Sequence, residues 1–118
     1  MNRDVLILAL AIILNAGANI LIKIGMIRID RAGRPDPLFS QMIAQPFLYI
    51  GIFSFGLALV FYSMVLKTMN LSVAYPVMVS LGLVIVTLVS YFALDESIRW
   101  IQIVGFGLII SGVWFVAK

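Results

Sequence analysis

The sequence predicts an all-α integral membrane protein built on four transmembrane helices, and three observations carry that prediction. Hydrophobic residues make up 64% of the 118 positions and charged residues only 11%, with a mean hydropathy of +1.17. A soluble domain of this size would be about half apolar and a quarter charged. The apolar residues also cluster into four runs, 5–27, 47–66, 71–94 and 98–117. Each holds about 20 residues, which at 1.5 Å per residue crosses a hydrocarbon core of about 30 Å. A bilayer offers no water to bond the backbone, so each run must close its hydrogen bonds internally as a helix. The whole chain, 1–118, is then one four-helix transmembrane domain.

Taken in order, run 5–27 has a rival reading as a cleaved leader, with Arg3 before it and Ala16-Gly17-Ala18 as a cleavage pattern. The apolar stretch continues past that pattern, so a retained helix is expected. Loop 28–45 begins with the alternating charges of RIDRAGRPDP around Gly33, Pro35 and Pro37, which predicts an irregular polar turn. Its second half spaces Leu38, Phe39, Met42 and Ile43 as one face of a short interfacial helix. Pro46 suits the first turn of the second helix. The short turns KTMN and DES predict that helices two and three, and three and four, are antiparallel neighbours. Pro76 lies inside the third run, where it has no N–H and crowds the carbonyl of Ser72, a candidate helix kink. The fourth run carries Gly105, Gly107, Ser111 and Gly112, small residues that let helix backbones approach closely. They suit packing within the subunit or a dimer seam. Four helices can hardly enclose a solute path alone, so transport would require a homodimer or a heterodimer with a similar small subunit.

The charged residues exclude several functions. There is no cysteine or histidine, which removes thiol, disulfide and imidazole chemistry. Asp4, Asp30, Asp36, Asp95 and Glu96 all lie at the ends of runs or in the long loop. A proton-coupled cation exporter needs an acid at membrane depth, and none is expected here. No enzyme, cofactor or metal site follows from this set. The net charge of +3 is spread over loops and ends, which suits anionic lipid headgroups rather than nucleic acid.

The polar residues inside the runs are more informative. Asn15, Asn19 and Lys23 recur every fourth position and so share one helix face. They could hydrogen-bond a neighbouring helix while Lys23 snorkels to the interface. Alternatively, two amides and an ammonium offer a path to a polar headgroup. Tyr75 and Ser80 of the third run, and Tyr62 and Ser63 of the second, would face that path. Arg28, Arg31 and Arg34 would contact its phosphate.

The stretches LNAGANILIKIG, KTMNLSVAYPVMVSLG and FALDESIRWIQIVGFGLIISGV together resemble the small multidrug resistance branch of the drug/metabolite transporter superfamily. Drug exporters of that branch carry a glutamate in the first helix, and aligning their following lysine on Lys23 puts Asn15 in its place. The subgroup lacking that acid, with A-Y-P in the third helix, is similar to flippase subunits for aminoarabinose linked to undecaprenyl phosphate. The resemblance implies a dimer of four-helix subunits in a bacterial inner membrane, open toward lipid. It also implies a polyprenyl-phosphate-linked sugar as substrate. The alternatives are export of a small polar or cationic metabolite or drug, possibly as a heterodimer, and an assembly subunit that transports nothing.

Overall fold

The computed structural model describes residues 2–118 as five helices: α1 (Asn2–Ala32), α2 (Leu38–Ala44), α3 (Pro46–Val65), α4 (Leu71–Ala93) and α5 (Trp100–Ala117). Four of them, all but α2, are long and apolar enough to span a membrane. Asp4 in the first turn of α1 and Arg31 in its last complement the helix dipole at both ends.

The first helix runs further than its apolar residues do. Arg28, Asp30 and Arg31, expected in an irregular turn, instead form the last turns of α1. Polarity marks where the bilayer ends, whereas a helix ends where the backbone must change course. Here that is Gly33, at φ +59°, a left-handed geometry that glycine adopts without a Cβ penalty. Two prolines follow it, and then α2, whose Leu38, Phe39 and Ile43 are uncovered by protein. Pro46 occupies the first turn of α3.

Packing centres on α1, which contacts both α3 and α4. Along the α1–α3 seam, compact residues recur every seventh position: Ala11, Ala18 and Gly25 on α1 are buried, as are Gly51, Ala58 and Val65 on α3. A repeat of seven keeps one seam facing its partner along several turns. The approach is close enough that a Cβ on Gly51 would lie 2.8 Å from Ile22 Cγ1 and 3.2 Å from the Ala18 carbonyl. In lipid such close backbone approach, rather than hydrophobic burial, holds helices together. Leu8, Ile12, Val65 and Met78 form the core where α1, α3 and α4 converge. Beside it, the Thr68 hydroxyl donates to Asp4 Oδ2 at 2.8 Å, tying the α3–α4 turn to the start of α1.

Although the α3–α4 turn is short, these two helices scarcely pack along each other. Both lean on α1 instead. A tight turn sets the direction of the next helix, not the face it presents, and the small-residue seam draws α3 to α1. The result is a cleft between α3 and α4. The last helix, α5, packs chiefly on α4 and buries none of its residues.

Candidate functional site

Asn15 lies 13 residues past Asn2 and 17 before Ala32, close to the midpoint of α1. Asn15, Asn19 and Lys23 line one wall of a cavity of about 460 Å³. Val79, Gly82, Val86 and Ser90 of α4 form the other wall, spaced as one helix face. Gly82 sets the width, because a Cβ there would stand 3.9 Å from Asn15 Nδ2. Among the described residues, neither asparagine side chain hydrogen-bonds to another helix. Asn19 Nδ2 donates to the Asn15 backbone carbonyl at 3.0 Å, within α1, and the Asn15 amide is half-buried against the cavity.

A second cavity, of about 380 Å³, opens on the other side of Asn15 between α3 and α4. Phe55, Leu59 and Tyr62 form its α3 wall, with Tyr75, Met78 and Val79 on α4. The Tyr62 hydroxyl is buried with no hydrogen-bond partner among the described residues, a donor held ready beside Tyr75. Asn15 and Val79 belong to both cavities. One cavity leads from Asn15 toward the far end of α1. The other leads toward the α3–α4 turn. Together they run past the midpoint of the protein toward both ends.

The far end is closed by a residue that the sequence placed outside the membrane path. Residues 94–99 reverse the chain, with Asp95 at φ 55° in a left-handed conformation that aspartate tolerates better than most residues. The Glu96 N–H then donates back to the Ser90 carbonyl at 3.0 Å. That turn brings Glu96 into the cavity, where Oε2 lies 3.5 Å from Lys23 Nζ with both side chains about half exposed. So open an ion pair is worth about 1 kcal/mol or less. Lys23 is therefore paired, but held loosely.

Other expected site residues fall elsewhere. The Ser63 hydroxyl donates to the Leu59 carbonyl at 2.7 Å and Ser80 to Val77 at 3.1 Å. Both are satisfied by their own helix, as serines in apolar helices often are, and neither lines the two cavities. The arginines do not converge on the cleft either. Arg28 stacks 4.8 Å from the centroid of the Phe47 ring, and Arg34 pairs with Asp36 at 3.4 Å. Arg28 sits five residues past Lys23, which turns it off the face shared by Asn15 and Lys23, and neither Arg28 nor Arg31 lines either cavity. Residues on both sides of Pro76 stay helical, near the Tyr75 wall. Gly107, Ser111 and Gly112 are exposed on α5 and Gly105 is half-buried; a Cβ on any of these glycines would meet nothing.

Four spanning helices around a polar cleft define a multi-pass membrane transporter of the bacterial inner membrane. The chain belongs to the EamA-like transporter family, whose model matches residues 4–118. It is 35% identical over 86 residues to a probable 4-amino-4-deoxy-L-arabinose-phosphoundecaprenol flippase subunit ArnE of Pseudomonas fluorescens, covering 73% of this chain and 74% of that one. To a probable subunit ArnF of the same kind of flippase from Erwinia tasmaniensis it is 30% identical over 118 residues, covering 92% of each. The quaternary ammonium compound-resistance protein QacE of Escherichia coli is 40% identical over 75 residues, 64% of this chain and 66% of its own. No solved structure matches.

Proposed function

We propose that the protein is a flippase subunit that carries the headgroup of a polyprenyl-phosphate-linked sugar between the leaflets of the inner membrane. The observation that carries this reading is the position of Asn15, where a polar cavity and a tyrosine-lined cavity meet. The likeness to two flippase subunits adds to it. A lipid-linked sugar keeps its tail in the bilayer, so only the headgroup needs shelter. Each unpaired polar group left in hydrocarbon costs several kcal/mol, on the order of 2–7. The amides of Asn15 and Asn19 and the Tyr62 and Tyr75 hydroxyls replace those lost bonds along the cleft. Lys23 supplies a cation for the phosphate, and the gap between α3 and α4 leaves a side opening for the tail.

The second reading, proton-coupled export of a cation, is favoured by the quaternary ammonium relatives and by the Glu96 carboxylate in the cleft. Proteoliposomes separate the two. The flippase reading expects a polyprenyl-phosphate sugar to become accessible from the opposite leaflet, with no proton release when a quaternary ammonium ion is added. Proton release with an immobile glycolipid reverses the assignment.

The transporting unit is taken to be a dimer, with a second copy or a similar small subunit, because α5 buries nothing within the subunit. Its glycines meet open space, so Gly107→Leu is expected to leave the thermal stability of the isolated subunit unchanged. In a dimer sealed by that face the same leucine forces the backbones apart. Cross-linking in native membranes should then fall by about tenfold, the effect of roughly 1.4 kcal/mol. Unchanged cross-linking would move the seam off α5.

A further inference from the structure

We infer that Glu96 reads a positive charge on the transported headgroup, and that the headgroup enters by exchanging its own charges for the Lys23–Glu96 pair. The inference rests on the flippase reading and adds to it a residue and a selection rule. Three observations carry it. Among the described residues, Glu96 is the one carboxylate lining the cleft and Lys23 the one ammonium, 3.5 Å apart. Both are half exposed to the cavity, so the pair is weak and exchanges partners at little cost. Finally, the turn that puts the acid there is a specific one, built on a left-handed Asp95 and a hydrogen bond from Glu96 N–H to Ser90.

Charge then decides what is admitted. A headgroup with a phosphate alone gains Lys23 but strands Glu96 beside an anion. One with an ammonium alone gains Glu96 and strands Lys23. A headgroup carrying both, spaced along the sugar, satisfies each charge as it parts the pair. Asn19 lies one turn of helix from Lys23, about 6 Å, so a sugar whose ends hold the two charges reaches that amide on the same wall. The Ser90 side chain, on the same wall, stands beside Glu96 for the sugar hydroxyls.

The test uses the purified full-length protein in detergent and two radiolabelled probes. One is a short-chain polyprenyl-phosphate aminosugar. The other is the same molecule N-acetylated, which removes the positive charge. Wild type should bind the amino probe about tenfold more tightly, the scale of one charge-assisted hydrogen bond. In Glu96→Gln the two probes should bind within about twofold of each other. Lys23→Gln breaks the same ion pair, yet should weaken both probes alike and keep the preference for the amine. Were the pair only a staple between α1 and the α4–α5 turn, both variants would shift both probes equally. That result, or an unchanged preference in Glu96→Gln, overturns the inference and leaves the flippase reading standing. Failure of wild type to bind either probe brings down both.

Discussion

Asn15→Leu is expected to stop headgroup movement in proteoliposomes while the protein remains folded. Leucine matches asparagine closely in size, and the Asn15 side chain makes no hydrogen bond within the described residues that the fold would miss. What changes is the meeting point of the two cavities. A headgroup passing an apolar side chain there leaves one or two hydroxyls unpaired at the midplane. At about 1–3 kcal/mol for each unpaired group, the crossing should slow by about fivefold to 150-fold for one hydroxyl and by up to about 10⁴-fold for two. Binding at the Lys23 end, two turns away, should change by less than about threefold, so loss of movement with retained binding is the signature. Wild-type movement in Asn15→Leu would mean that the headgroup travels by another face, and the flippase reading would lose its main support. Asn15→Gln keeps the amide one methylene further out and should restore part of the rate.

The positions of these residues were not equally readable in the sequence. Four spanning helices follow from composition and run length, because bilayer thickness and the need to satisfy the backbone leave few alternatives. The Asn15–Asn19–Lys23 stripe follows from spacing alone, since residues four apart on a helix share a face. Glu96 does not. In the sequence it is a charged residue in a short turn between two apolar runs, the usual mark of a solvated loop. Its place in the cleft depends on the turn at Asp95 and on how α4 lies against α1, both tertiary facts. The end of α1 was misplaced for a simpler reason. Hydropathy reports the edge of the membrane, and residues 28–32 continue the helix beyond it. Ser63 and Ser80 could not be told from cavity residues, because a hydroxyl bonded to its own helix and one facing a path have the same sequence pattern. The α1–α3 seam was there to be found: 11, 18 and 25 against 51, 58 and 65 is a heptad of mostly small residues on each helix of the pair.

That seam sets the largest expected effect on stability. Gly51→Val adds a Cβ that would stand 2.8 Å from Ile22 Cγ1 and 3.2 Å from the Ala18 backbone oxygen. Ile22 can shift its side chain, but the carbonyl belongs to the α1 backbone and yields only if the helices part. Overpacking of this kind costs about 1–3 kcal/mol, and valine adds two methyl groups beyond the Cβ. Gly56→Val is the matched control on the same helix, because a Cβ there meets nothing within 4 Å. Heating the two variants in detergent should show Gly51→Val unfolding several degrees lower, on the order of 4–8 °C per kcal/mol for a domain near this size, with Gly56→Val close to wild type. The consequence reaches the cleft. Gly51 and Ala58 lie one heptad apart on α3, and Ala58 lines the tyrosine-side cavity with Tyr62. Pushing α3 away from α1 at Gly51 therefore displaces the wall that carries the Tyr62 hydroxyl. Headgroup movement should fall in Gly51→Val even below its melting temperature, whereas a seam that only holds the subunit together would lose stability without loss of rate at low temperature.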